Sequence, residues 1–182
     1  MPTEPLPDQA QPSSPAKKSI LKKALSALMQ VILLAVVIIA VDAWMTRNSA
    51  HGTPPPLEGK TISGEYFSID GLKGEVGIIH FWGTWCPVCN LEQGTMNALN
   101  KDFHMMTIAL QSGSDAEISQ YLRDKGVSYP VLNDDRGVIS SIYGVTAVPV
   151  TFVLDRHGEI RYVTRGYSSE LGLRFRLWLA SL

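Results

Sequence analysis

Val76-Gly77-Ile78-Ile79-His80-Phe81-Trp82, running on into Gly83-Thr84-Trp85-Cys86-Pro87-Val88-Cys89, decides how the chain folds. Its first seven residues are almost unbroken in apolar character, as in a central strand covered on both faces. Pro87 then opens a helix to about Phe103, because proline at the first helical position forfeits no hydrogen bond. Two cysteines three residues apart at a strand-to-helix junction read as a redox dithiol. Residues i and i+3 share one helix face, so the two sulfurs reach bonding distance within a single turn. Cys86 falls at the N-cap, where unpaired backbone N–H groups and the positive end of the helix dipole stabilise a thiolate. Cys89, one turn in and expected to be less exposed, suits the resolution of a mixed disulfide.

Three other chemistries compete for the pair. A structural disulfide more often joins distant segments than closes one turn. A zinc site needs more ligands, and the chain holds only two cysteines and no histidine cluster. Two thiolates still suit the soft ion copper(I), so a copper(I)-carrying module is the binding alternative. A peroxidase of the peroxiredoxin kind builds its peroxide pocket around a different cysteine context. No resident metal or other cofactor is expected, the dithiol being the whole redox group.

Outward from this junction the pattern stays that of an α/β domain. Upstream, Thr61-Ile62-Ser63 and Tyr66-Phe67-Ser68-Ile69, joined through Gly64, suggest a hairpin. The first helix is expected to bury Leu91, Ala98 and Leu99. Met105 to Leu110 is a second buried strand. Ser114 with Glu117 forms a capping box for a helix carrying Ile118, Tyr121 and Leu122 and stopped by Gly126. Tyr129 to Leu132 is a short strand, and Asp134 starts a helix bearing Val138, Ile139, Ile142 and Tyr143. Val150 to Leu154 and Ile160 to Thr164 pair about the Asp155-Arg156-His157-Gly158 turn. A last helix from Ser169 places Leu171, Phe175, Trp178, Leu179 and Leu182 on one face. Alternating strands and helices closed by a hairpin and a helix imply a mixed sheet between helices over residues 57–182.

The N-terminal part is a different polymer. Residues 1–16 are rich in Pro, Ser and Gln and cannot bury enough surface to order themselves. Lys17, Lys18, Lys22 and Lys23 precede an apolar run from Ala24 to Met45, about 33 Å of helix and enough to cross a bilayer. Four lysines before the run, against Arg47 alone after it, place the N-terminus in the cytoplasm and export the rest. A cleaved signal peptide is the competing reading, but its apolar core usually holds about 7–15 residues. The expected organisation is a disordered basic segment over 1–23, a transmembrane signal anchor over 24–45, a Pro-rich linker over 46–56, and the α/β domain. The mean hydropathy of +0.06 averages that anchor with an ordinary domain. A formal charge of -1 excludes the electrostatic footprint of a nucleic-acid binder.

From Leu57 to Leu182 the sequence resembles the thioredoxin superfamily. Phe81 to Cys89 followed by Glu92 is similar to the membrane-anchored (TlpA/DsbE-like) disulfide oxidoreductases, a branch that includes the cytochrome c maturation reductants. Ala40-Val41-Asp42 with Trp44, Met106 to Leu110 with Ser112-Gly113, and Gly166-Tyr167-Ser168 with Arg176-Leu177-Trp178 resemble most the copper-sensitivity suppressor protein D group. The resemblance implies a thioredoxin-like fold behind a single inner-membrane helix, with the catalytic domain in the periplasm of a Gram-negative bacterium. It implies protein thiol or disulfide substrates and, as partner, a membrane electron-transfer protein that reduces the dithiol. It makes Ala147-Val148-Pro149 the loop whose cis-proline packs against the disulfide, with Val148 offering backbone bonds to substrate. Glu92 becomes an acid that influences cysteine ionisation, or else a solvated carboxylate suited to the helix dipole. Trp82 and Trp85, with Pro87, shape the surface around Cys86, ordinary packing being the alternative for the two tryptophans. His80 is a departure, standing where thioredoxins carry a buried acid. It reads either as a proton relay to Cys89 or as a core histidine satisfied by a hydrogen bond.

Overall fold

The computed structural model describes residues 16–46 and 50–182. The expected disorder at the extreme N-terminus and the charge of Arg47 fall outside the described residues, as do the side chains of Lys17, Lys18, Asp42 and Trp44. The chain divides into two compact units after Met45. The first holds all but the last residue of α1, Ala16–Thr46. Its described side chains, at 22–23, 25–37 and 40, are all exposed. Among the described residues, no helix is long and apolar enough to cross a membrane.

The second unit is built on a five-stranded mixed sheet in the order β5-β4-β3-β6-β7. Its strands are β3 (Gly77–Trp82), β4 (His104–Leu110), β5 (Val131–Asp134), β6 (Val150–Leu154) and β7 (Ile160–Arg165). β3, β4 and β5 run parallel, whereas β6 is antiparallel to β3 and to β7. All six residues of β3 are buried, which is why that strand reads as an unbroken apolar run. Ile78, His80 and Trp82 point to one face, where α2 (Pro87–Leu99), α3 (Asp115–Lys125) and α5 (Glu170–Ala180) pack. Ile79 and Phe81 point to the other, into an aromatic cluster in which Phe81 lies 5.3 Å from Tyr143 and 5.6 Å from Phe152. The short α4 (Val138–Ile142), with the pair β1 (Glu58–Lys60) and β2 (Tyr66–Ser68), belongs with that second layer.

Several local expectations shift. Thr61–Ser63 forms the turn of the first hairpin instead of a strand, because Thr61 spends its bonding on Ser63 Oγ at 2.8 Å and on both backbone groups of Glu65. Asp134 ends β5 and reaches forward, its carboxylate accepting the amides of Ile139 and Ser140 at 3.1 and 2.8 Å. It thus caps α4 without belonging to it. Residues 50–56 do not stand free as a spacer. Ala50 N–H donates to Tyr143 O, Gly52 pairs with Ile160, and Tyr143 Oη donates to Pro55 O, so the tyrosine hydroxyl buries only by holding this segment. On α5 the buried residues are Leu173, Leu177 and Ala180, while Leu171, Phe175, Trp178 and Leu182 are exposed. That helix carries two apolar stripes at helical spacing, and periodicity alone does not choose between them.

The capping box on α3 is complete. Ser114 Oγ accepts from Glu117 N–H while the Glu117 carboxylate accepts from Ser114 N–H at 2.8 Å, and Gly126 closes the helix in the left-handed conformation. Ser114→Ala should lower the unfolding free energy by about 1 kcal/mol. Urea denaturation checks this: the midpoint should fall with an unchanged slope.

Candidate functional site

The site forms where β3 leaves the sheet and α2 begins. Cys86 is the N-cap of α2, in extended conformation, with Pro87 at the first helical position. Cys86 and Cys89 are joined by a disulfide, their Cα atoms 5.3 Å apart. The Cys89 amide donates to Cys86 Sγ at 3.2 Å. This is one of the helix's unpaired N-terminal donors, and it would serve a Cys86 thiolate in the reduced state equally well. The expected contrast in exposure is slight, since Cys86 is 4% and Cys89 2% exposed. Cys86 does differ in its neighbours, standing between exposed Trp85 and exposed Pro87.

The turn before the cysteines is held from below. Thr84 N–H donates to Ser112 Oγ at 3.1 Å, and that hydroxyl donates to Leu110 O at 3.0 Å. Trp85 Nε1 donates to the same carbonyl at 3.0 Å, which lays the indole across Gly83. A Cβ on Gly83 would fall 2.8 Å from that ring, so the position has room only for hydrogen. Trp82 departs from the expectation that it lines the surface. It is 1% exposed, donates to Thr107 Oγ1, and stacks on Tyr121 at 5.7 Å. It is therefore part of the core beneath the site.

The Val148–Pro149 bond is cis, and the Val148 carbonyl oxygen lies 3.6 Å from Cys86 Sγ. Sequence-distant Cys86, Val148 and Pro149 thus meet. Glu92 lies one turn beyond Cys89 on α2, whose buried residues are Cys89, Glu92, Gln93, Met96 and Leu99. Leu91, expected inside, is 72% exposed, and the carboxylate takes the buried stripe at 0% exposure. The solvated reading of Glu92 is thereby excluded. One oxygen accepts the Ser168 amide; the other, Oε2, has no partner in the described structure. Burial raises its pKa to about 7, against the opposing pull of the Ser168 N–H.

His80 points to the same face of the sheet. Its Nδ1 lies 2.9 Å from Thr151 Oγ1, and burial holds its pKa down to about 3, so the ring is neutral at any ordinary pH. Strand register places Thr107 and Thr151 on either side of His80, with Thr164 beyond, making a buried polar row across four strands under α2 and α5. Thr151, Ser112 and the Ser168 amide escape a reading of residue types. The hydroxyls are common strand and loop residues, and a backbone amide leaves no trace in a sequence at all. Among the described residues, no group of three or more His, Cys, Asp or Glu side chains is placed to hold a metal ion.

The chain is similar to known proteins over most of its length. Residues 53–163 match the AhpC/TSA family. A thioredoxin-like protein of Haemophilus influenzae is 28% identical over 162 residues, spanning 88% of this chain and 96% of that protein. The thiol-disulfide oxidoreductase ResA of Geobacillus thermodenitrificans is 22% identical over 158 residues, covering 80% of this chain and 91% of its own length. The solved thiol:disulfide interchange protein of the thioredoxin family from Chlorobium tepidum is 30% identical with a TM-score of 0.61, over 72% of this chain and 97% of that one. The chain belongs to the AhpC/TSA family and is a thioredoxin-like thiol-disulfide oxidoreductase.

Proposed function

We propose that the protein is a membrane-tethered reductant of protein disulfides acting in the periplasm. The observation that carries the chemistry is the Cys86–Cys89 disulfide at the head of α2, beside Val148 and Pro149. In the reduced protein the Cys86 thiolate attacks a substrate disulfide. One substrate sulfur bonds to Cys86 and the other leaves as a thiolate, which takes up a proton. Cys89, having lost its own proton, then attacks Cys86 Sγ, closes the Cys86–Cys89 bond and frees the second substrate thiol. Two electrons and two protons have passed to the substrate. Trp85 and Pro87 form the contact surface around Cys86, and the Val148 backbone bonds to the extended substrate segment. Glu92, near neutrality in its titration, exchanges the proton that Cys89 must lose.

The membrane reading is supported by the apolar run over 24–45 and by the exposure of every described apolar side chain on α1, from Leu25 at 64% to Val37 at 49%. The lysines before the run favour an exported domain. A reductant in that compartment needs electrons from the cytoplasm, so a membrane electron-transfer protein is its partner. The anchor and C-terminal sequence resemblances favour a copper-tolerance setting over cytochrome c maturation. No resident cofactor takes part.

Insulin disulfide reduction, measured with the purified full chain and a dithiol donor, tests the exchange reading. Wild type should precipitate the insulin B chain far faster than donor alone. A rate equal to donor alone, together with stoichiometric copper(I) in the reduced protein, would replace the enzyme with a copper carrier. Alkaline carbonate extraction of membranes tests the tether, which predicts that the chain stays in the pellet.

A further inference from the structure

The connection Gly166-Tyr167-Ser168 between β7 and α5 touches the site at both of its ends. Gly166, turning at φ +74°, donates its N–H to Pro149 O at 2.9 Å. Ser168, 5% exposed, donates its N–H to Glu92 Oε1. Between them Tyr167 stands 58% exposed. Glu92 itself is wholly buried and its second oxygen has no partner in the described structure, so this amide is the donor that its ionised form relies on.

We propose that Ser168 is a positioning residue for disulfide exchange: its amide, held in place by the Gly166–Pro149 hydrogen bond, sets the protonation state of Glu92. The inference rests on the exchange reading for its consequence but not for its physics. A carboxylate at 0% exposure with one donor is stabilised as an anion by that donor alone. The donor sits on a three-residue connection bonded to Pro149, next to the Val148 backbone at which substrate would dock.

Other titratable groups on this face leave the effect readable. On α2 they are Cys86 and Cys89, which do not titrate while bonded to each other. β3 contributes His80, already neutral, and β7 contributes Tyr162. Tyr121 on α3 and Tyr129, just before β5, are both pushed further up by burial. On α5, Glu170 and Arg174 pair with each other at 2.8 Å, and Arg176 bonds Gly172 O. Among the described residues, Glu92 is the wholly buried carboxylate on this face, with its pKa raised to about 7.

The test is a carbon-13 NMR titration of the Glu92 carboxyl in the oxidised full chain, read together with the Ser168 amide proton. Both signals should move with one midpoint near 7. Ser168→Pro, which deletes the N–H, should raise the Glu92 midpoint by about one pH unit, whereas Ser168→Ala, which keeps it, should leave the midpoint in place. A folded Ser168→Pro protein with an unmoved midpoint overturns the proposal, as does a shift of equal size in Ser168→Ala. Should Ser168→Pro not fold, the wild-type titration decides alone: an amide that ignores the Glu92 midpoint refutes the link. Insulin reduction by the same wild-type sample reports separately on exchange, so the two ideas fail independently.

Discussion

Cys89→Ala will leave the protein covalently joined to its substrate through Cys86, and the joined species will outlive its wild-type counterpart by roughly three orders of magnitude or more. In the wild type the Cys89 sulfur is already within one helical turn of Cys86, their Cα atoms 5.3 Å apart and both residues almost wholly buried. Well-oriented intramolecular attack reaches effective molarities of about 10⁵ M, against which millimolar external thiol is a poor substitute. Removing Cys89 therefore stops the second step while sparing the first. The first step keeps its activation, because the backbone amide at position 89 that donates to Cys86 Sγ survives the substitution, as does the rest of the helix N-terminus. Cys86→Ser should yield neither complex nor turnover. Non-reducing electrophoresis of cells expressing each variant is the measurement, with mass spectrometry naming the captured protein. A complex formed by Cys86→Ser and not by Cys89→Ala would reverse the two roles assigned to the sulfurs.

The parts of this site that were legible in the sequence are those in which the chemistry and the local backbone use the same residues. Cys86, Pro87 and Cys89 announce both a helix start and a dithiol, and the buried strand before them fixes where in a sheet that helix must begin. Val148 and Pro149 became legible through resemblance to a family, since nothing local says that a proline sixty residues downstream meets Cys86. The helix face was the weak point. Hydrophobicity placed Leu91 inside, yet the buried positions 89, 92, 93, 96 and 99 follow helical spacing from Cys89 and carry Glu92 into the core. A polar residue inside a helical stripe reads as an error in the stripe until something shows that it has a partner. Here the partner is the Ser168 amide, which no reading of side chains could find. The same ambiguity arose on α5, whose start at Ser169 was legible but whose two apolar stripes competed until packing against β6 chose the one with Leu173, Leu177 and Ala180. His80 was legible as an anomaly, and the structure supplies the hydroxyl of Thr151 that satisfies it.

Glu92 and His80 pull the pH dependence of stability in opposite directions, and Glu92→Gln should expose one of them. Glu92 is an acid whose folded pKa, about 7, lies above its ordinary value of 4.5. Between those values the folded chain holds a proton that the unfolded chain has released, so stability falls as pH rises through the window and stays low above it. A shift of this size corresponds to roughly 3 kcal/mol. His80 is a base whose folded pKa, about 3, lies below its ordinary 6.5. There the unfolded chain holds the extra proton, so stability falls as pH drops from 6.5 toward 3. From 4.5 to 6.5 the two slopes oppose each other, and the wild-type profile should be nearly flat. Above 6.5 the His80 contribution is complete while Glu92 is still losing its proton, which makes the wild type less stable at pH 8 than at pH 5.5. Glu92→Gln has only the His80 slope. Its stability should climb steadily to pH 6.5 and then level off, and its difference from the wild type should move in the variant's favour by about 3 kcal/mol between pH 4.5 and 8. Urea unfolding of the two oxidised proteins, followed by tryptophan fluorescence at four pH values, measures that difference. A constant gap across the range would mean that Glu92 ionises as freely in the fold as out of it. The carboxylate buried one turn beyond Cys89 would then be an ordinary surface acid in energetic terms. If the gap does widen, the fold carries at neutral pH the cost of ionising a carboxylate buried one helical turn beyond Cys89.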